Sequence, residues 1–282
     1  MIFFPEKRSR KKFSHRVPAW EELSGYSARN IAFQGKYLDV VKYSLPAVEP
    51  ALAGRKIVFF SDLHWRGGTA SEREILAEMS KFISEIQPDA IISGGDLISF
   101  ASRIKSAVEA LKSLPAAPTR IAVHGNWERA KKWISDFKWK QYYREAGYEL
   151  LVNQACPAPP FYFYGTDDIR VGSPKINLGN TGQYNVVAAH SPDTAINAGR
   201  LDILRDIKLI LCGHTHAGQI RFPFIGPLMA SSRYRLKFAY GNFVHSKTGT
   251  RMIISSGIGT SCLPVRLFCR PEITFMEFVN GV

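Results

Sequence analysis

The chain has 282 residues, 45% of them hydrophobic, with 37 Lys and Arg against 24 Asp and Glu for a net charge of +13. That length and apolar content suffice for a large buried core, and with no internal repeat or low-complexity tract they exclude a disordered, fibrous or solenoid protein. No stretch approaches about 18 uninterrupted apolar residues, which excludes a spanning helix, and the surplus positive charge favours polyanionic partners: acidic lipid, phosphorylated small molecules or nucleic acid.

Residues 1–20 carry six Lys and Arg against one acidic residue, behind Ile2, Phe3 and Phe4. A secretory signal puts its charges before an apolar core, and no such core follows these. The segment therefore reads either as a disordered arm or as an anchor for anionic lipid. Residues 1–49 form a basic N-terminal extension with a leading strand. Residues 50–282 form the main domain, because no Gly/Ser/Pro-rich linker divides the motifs spread from Asp62 to His216.

Residues 56–61 predict a buried strand. Ser71 can cap a helix whose apolar positions Ile75, Leu76, Met79, Phe82, Ile83 and Ile86 share one face, and Pro88 ends it. Residues 90–93 predict a second strand, 103–114 a helix carrying Ile104, Val108 and Leu111, and 120–123 a third strand. This βαβαβ order implies parallel pairing through crossovers. After Asn126 strands crowd together at 149–152, 161–164, 184–189, 208–211, 252–255 and 274–278, interrupted by a helix near 194–204. That is more strand than one helix-flanked sheet needs. It predicts an α/β fold of two sheets packed face to face with helices outside.

Five short motifs fall at the ends of these strands: Asp62-Leu63-His64, Gly95-Asp96, Gly125-Asn126, a lone His190, and Gly213-His214-Thr215-His216. Each is weak alone, since Asp62 can simply cap a helix and a lone histidine is commonly a core or surface residue. Together they place seven O and N donors where α/β folds keep their chemistry. Imidazoles and carboxylates suit Mn, Fe or Zn, and no cysteine falls in the set to make a structural thiolate zinc. An Asp carboxylate can bridge two ions roughly 3.5–4 Å apart, and two such ions lower the pKa of a shared water while neutralising phosphoryl oxygens.

The ordered set resembles the calcineurin-like metallophosphoesterases, over a span from Lys56 to the C-terminus. The phrase Cys212-Gly213-His214-Thr215-His216-Ala217-Gly218-Gln219-Ile220 and the ending Leu267-Phe268-Cys269-Arg270-Pro271-Glu272-Ile273-Thr274 look most like a bacterial branch of cell-envelope phosphodiesterases and UDP-2,3-diacylglucosamine diphosphatases. The resemblance implies a four-layer αββα sandwich of two mixed sheets flanked by helices, with 50–282 as the catalytic domain. It makes Asp62, His64 and His216 ligands of one metal, Asn126, His190 and His214 ligands of a second, and Asp96 the bridge. The implied cofactors are two divalent ions, Mn foremost, with Fe, Zn and Mg as alternatives; Asp96, Asn126 and His214 are the implied catalytic residues. The implied reaction is hydrolysis of a pyrophosphate or phosphodiester, with UDP-2,3-diacylglucosamine in lipid A biosynthesis as the leading substrate. The basic charge keeps a nucleotide phosphodiesterase or nuclease in play.

One departure touches activity directly. The family usually has His immediately after the metal-binding Asn, assisting the leaving group; here that position is Trp127, followed by Glu128. An indole N–H cannot deliver a proton at neutral pH, so Trp127 reads as a packing or substrate-stacking residue, and a non-catalytic interaction protein on the same fold stays open. His124 is the alternative acid, but strand alternation does not decide whether it faces the metals, and it reads first as a core or surface residue. Between Arg221 and Arg251 there are six Lys and Arg and no acid, interleaved with aromatic residues. That segment reads as an ordinary solvated hairpin, as a loop for a nucleotide, or as an apolar face for a membrane. Arg221, Arg233 and Arg235 are its candidate substrate contacts, toward a phosphorylated small molecule or lipid-linked nucleotide ahead of nucleic acid. The four cysteines show no CxxC spacing and read as free thiols of a cytoplasmic protein, attached at most to the inner face of the membrane.

Overall fold

The strand that leads into Asp62 reads Lys-Ile-Val-Phe-Phe and is apolar on both faces, the pattern of a parallel strand covered on each side. In the computed structural model, which describes residues 19–197 and 201–281, Ile57 and Phe59 of that strand enter one core while Val58 and Phe60 enter another. Residues 1–18 of the basic arm and residues 198–200 of the expected 194–204 helix lie outside the described residues.

In chain order the strands are β1 (Trp20–Ser24), β2 (Ile31–Gln34), β3 (Asp39–Pro46), β4 (Lys56–Phe60), β5 (Ala90–Ser93), β6 (Thr119–Val123), β7 (Glu149–Leu151), β8 (Gln154–Ala158), β9 (Phe161–Gly165), β10 (Tyr184–Ala188) and β11 (Leu209–Cys212). A short hairpin of β12 (Arg221–Phe222) and β13 (Gly226–Pro227) follows, then β14 (Gly241–His245), β15 (Arg251–Ile254) and β16 (Glu272–Val279). The helices are α1 (Ala70–Ile86), α2 (Ile104–Lys112), α3 (Asn126–Arg129), α4 (Asp136–Glu145), α5 (Pro192–Asn197) and α6 (Leu201–Arg205). One sheet runs β2-β3-β16-β4-β5-β6-β7 and the other β1-β14-β15-β11-β10-β9-β8. Their inner faces share a core that includes Phe59, Ile121, Phe163, Val186 and Met276. The outer face of the first sheet packs on α1, α2 and α4 through residues such as Met79, Leu111 and Trp139. Ala195, Ile196 and Leu204 pack on the outer face of the second. This is the αββα sandwich.

Several local expectations shift for physical reasons. The cap of α1 is Thr69 rather than Ser71, because Glu72 completes a capping box: Thr69 Oγ1 accepts from Glu72 N at 3.3 Å and Glu72 Oε2 accepts from Thr69 N at 2.7 Å. The same carboxylate accepts the N–H groups of Arg66 (2.6 Å) and Gly68 (3.0 Å), tying the loop after Asp62 to the helix. Helix α4 has no counterpart in the sequence reading, since only Trp139 and Tyr143 of its ten residues are buried and its apolar stripe is that thin.

The division at 49/50 does not separate structural units. β1 pairs with β14, and β3 runs parallel to the central strand β16. The second reason is an ion cluster on the fully buried Asp39 carboxylate. Asp39 accepts from Arg29 (3.3 Å) and Arg270 (2.8 Å), and the Arg29 guanidinium lies 3.9 Å over the Tyr26 ring. Removing one partner of a buried pair costs about 3–5 kcal/mol, whereas an exposed pair is worth under about 1 kcal/mol. Urea unfolding should therefore show Asp39→Ala losing about 3 kcal/mol or more, and Glu277→Ala, which breaks the half-exposed Lys42–Glu277 pair, losing less than about 1 kcal/mol.

Candidate metal centre

Strands β4, β5 and β6 run parallel in one sheet, as do β10 and β11 in the other, so their C-terminal ends share one rim of the sandwich. Each ends on a motif. To turn donors inward at that rim, the backbone goes left-handed at Asp62 (φ 55°), His64 (φ 44°), Asp96 (φ 53°), His214 (φ 71°) and His216 (φ 51°). Such conformations cost on the order of 1–3 kcal/mol each for non-glycine residues, somewhat less for Asp and His. Bonds between loops hold them: Asp62 N to Gly95 O (2.9 Å), His64 N to Asp96 O (2.9 Å) and Gly213 N to His190 O (2.9 Å). Gly213 is required by close approach, since a Cβ there would stand 2.5 Å from Asp62 Oδ2.

Two clusters result, each with its ligand atoms within 4.8 Å of one another and all buried: Asp62, His64 and His216 in one, Asp96, His190 and His214 in the other. His64 Nε2 and His216 Nε2 lie 3.2 Å apart, and His190 Nε2 lies 3.1 Å from His214 Nδ1. Asn126 Oδ1, 3.3 Å from His190 Nε2, joins the second cluster. Asp96 Oδ2 stands between them, 3.2 Å from His190 Nε2 and 3.7 Å from His64 Nε2. The sequence-nominated seven thus converge.

The donors fit divalent cations. Asp62 Oδ1 is buried and accepts no hydrogen bond, a state that a cation would satisfy. The outer nitrogens of the rings are held: His190 Nδ1 donates to Gly94 O at 2.8 Å, and His64 Nδ1 lies 3.0 Å from Ser99 Oγ. Such outer contacts fix ring orientation and tautomer. Burial lowers His64 to about 4 and holds His214 and His216 well below the ordinary imidazole value, so all three are neutral ligands at pH 7. Burial also pushes Asp62 up to about 6. At His190 burial acts downward, but the Asp96, Asp62 and Asp168 carboxylates prevail and raise it to about 10.

Glu128 organises the rim from behind. It is fully buried and accepts the N–H groups of Gly125 (2.9 Å), Asp96 (3.0 Å) and Leu97 (2.5 Å). Burial pushes its carboxyl up to about 7. Trp127 is half-buried, donates its backbone N–H to Asp96 Oδ1 at 2.8 Å, and sets its indole edge-on to His64 with centroids 5.8 Å apart. His124 is elsewhere: just past the end of β6, it packs on Trp139 of α4 with no hydrogen-bond partner, and burial lowers it to about 3.

The segment after His216 places its arginines differently from one another. Arg221 lies over the Tyr26 ring (4.1 Å) and donates to Ala217 O at 2.9 Å. Arg233 and Arg235 are exposed, and no hydrogen bond among the described residues links their side chains to the centre. Two arginines that the motifs did not single out stand closer. Arg170 Nη1 is 3.2 Å from His214 Nε2, and Arg266 Nη2 is 3.2 Å from His216 Nδ1. A cation at the inner nitrogen of a neutral imidazole leaves the ring proton on the outer one, so metal loading competes with both contacts. Arg266 lies directly before the Leu267–Thr274 phrase, and nothing in its local sequence marks it. The four cysteines are free thiols, and Cys212 is packed in the outer core beneath the centre.

Fold and centre together define a metal-dependent phosphoesterase. Residues 55–218 match the calcineurin-like phosphoesterases, and the chain belongs to that family. It is 28% identical to phosphodiesterase YaeI of Escherichia coli K12, over 96% of this chain and 99% of that protein. It is 26% identical to the uncharacterized metallophosphoesterase YkuE of Bacillus subtilis, over 78% of each chain. A transmembrane protein with a metallophosphoesterase domain from Danio rerio is 27% identical over 89% of this chain and 59% of its own length.

The pKa pattern makes metal binding a proton-releasing event. Metal must displace the His190 proton, held up to about 10, and must find Asp62, pushed up to about 6, ionised. Affinity therefore rises with pH. Adding Mn to metal-free protein in weak buffer at pH 7 should release about one proton per chain, and metal retained after dialysis should fall steeply between pH 8 and pH 5. Retention that is flat across that range contradicts the assignment.

Proposed function

We propose that the chain hydrolyses pyrophosphates and activated phosphodiesters whose leaving group departs as a stable anion, with a lipid-linked nucleotide of the UDP-2,3-diacylglucosamine kind as its substrate and Mn as its metal. In this reading Asp62, His64 and His216 would hold one ion and Asn126, His190 and His214 the other, with Asp96 between the two clusters. Bound there, such ions would supply a water of lowered pKa and neutralise phosphoryl oxygens.

The observation that carries the reading is the side chain after Asn126. General acid assistance is worth about 10²–10⁴-fold when an alkoxide departs and little when a phosphate departs. Trp127 occupies the acid's position beside His64 and has no proton to give. His124, the one histidine of that loop, is packed against Trp139 of α4. The resemblance points the same way, since one branch of UDP-diacylglucosamine diphosphatases carries Arg in place of this His. Arg170 and Arg266, which touch the outer nitrogens of His214 and His216, are the cations nearest the centre that would face phosphoryl oxygens.

Two cavities support an amphiphilic substrate. One, of about 560 Å³, opens beside His64 and presents Lys36, Arg66 and Arg266 against Glu72. The other, of about 510 Å³, begins at Thr215 and His216 and is walled by Ile220, Phe222, Leu228, Met229 and Leu263. A phosphate-bearing head suits the first and an apolar tail the second, with the scissile phosphorus between them.

The test compares turnover of a UDP-sugar pyrophosphate, an aryl phosphodiester and a dinucleotide by the native protein and by Trp127→His. The native protein should cleave the first two at least about 10²-fold faster than the dinucleotide, and Trp127→His should narrow the gap. Equal native rates, or a dinucleotide preference, overturn the leaving-group argument in favour of a nuclease.

A further inference from the structure

From Ile207 to Pro271 the chain contains no Asp or Glu. Two loops of that acid-free stretch leave the metal centre side by side. The β12–β13 hairpin carries Phe224, Ile225, Leu228 and Met229, all exposed, with the Phe224 ring fully in solvent. Across from it, Leu263, Val265 and Phe268 are exposed on the loop before β16.

Gln219 locks the two loops into one surface. Its Nε2 donates to Leu263 O (2.8 Å) and Val265 O (2.9 Å), and its Oε1 accepts from Ser261 N (3.0 Å). Arg221 N adds a bond to Leu267 O at 2.9 Å. Such an apolar patch is held in place rather than left as loose loop. Exposed Arg233, Arg235 and Lys237 follow the hairpin in sequence, and the groove of about 510 Å³ runs from between the loops to His216.

We infer that this two-loop face docks on an anionic bilayer, the apolar tips entering the acyl boundary and the flanking cations meeting the headgroups, with the groove opening toward the lipid. The argument is one of complementarity. An exposed apolar patch of this kind marks an interaction surface. A protein partner would need its own counter-charges for the exposed Arg233, Arg235 and Lys237, whereas an anionic bilayer offers both negative surface and hydrocarbon. Among the described residues no helix is long and apolar enough to cross a membrane, so attachment through this face is peripheral. The inference goes beyond the proposed reaction and does not depend on which phosphoryl compound is cleaved.

The test uses the full chain and its Phe224→Ser/Ile225→Ser variant in sedimentation with vesicles of equal phosphatidylglycerol and phosphatidylcholine, or of phosphatidylcholine alone, at low and high salt. The native protein should bind the anionic vesicles, more weakly in high salt, and far less the neutral ones. The variant should bind at least about tenfold more weakly, with turnover of a soluble aryl phosphodiester and circular dichroism unchanged. Replacing Arg235 and Lys237 by Ala should weaken binding by about fivefold per charge. If the tip variant sediments like the native chain, the docking face is refuted and binding passes to the basic arm. If the native chain ignores vesicles but forms dimers that the tip variant disperses, the face joins two copies and the inference falls.

Discussion

One oxygen of the Asp96 carboxylate lies within 4 Å of a histidine from each cluster, and its other oxygen is fixed by the Trp127 N–H. For a single buried carboxylate to reach both clusters, the loops after β4, β5 and β6 must meet at one point, and the rim of the second sheet must bring His190 and the Gly213–His216 turn against them. The left-handed backbone at five donors follows from that demand. So does Glu128, whose buried carboxylate gathers the N–H groups of two loops at once. The inter-sheet core supplies the rigidity, because apolar strands packed on both faces leave their ends no freedom to separate.

The layers and the site were legible for one reason. Parallel strands buried on both faces read as short apolar runs, and each run ended on a donor, so periodicity and chemistry marked the same places. The N-terminal strands were less legible. β2 is mostly exposed and β3 owes its place to pairing with β16, a contact between opposite ends of the chain that no local pattern encodes. Helix α4 has too thin an apolar stripe to announce itself. Arg170 and Arg266 lie far in sequence from the histidines they touch, and an isolated arginine carries no spacing signal. The Ser71 cap failed to a neighbour because the reciprocal Thr69–Glu72 box satisfies two N–H groups where a single serine satisfies one.

The surroundings of the centre are consistent with a charged, partly apolar substrate. A basic cavity at His64 and an apolar groove at His216 flank the centre, and Arg266 stands between them, lining the first and touching His216 of the second. Charge repeats the pattern at the scale of the chain, whose surplus of +13 raises the local concentration of anions around the rim. Under the proposed function, a tryptophan where an acid is expected would limit the chemistry to leaving groups that need no proton. Substrate choice in this account comes from what the site lacks as much as from what it binds.

Its central claim is that two ions share Asp96, and low-temperature electron paramagnetic resonance of Mn-loaded protein, with the metal counted on the same sample, tests it most directly. The account predicts two Mn per chain with the spectrum of an exchange-coupled pair roughly 3.5–4 Å apart, and loss of the coupling in Asp96→Asn. A native spectrum of isolated Mn, or a single ion per chain at saturation, would contradict it.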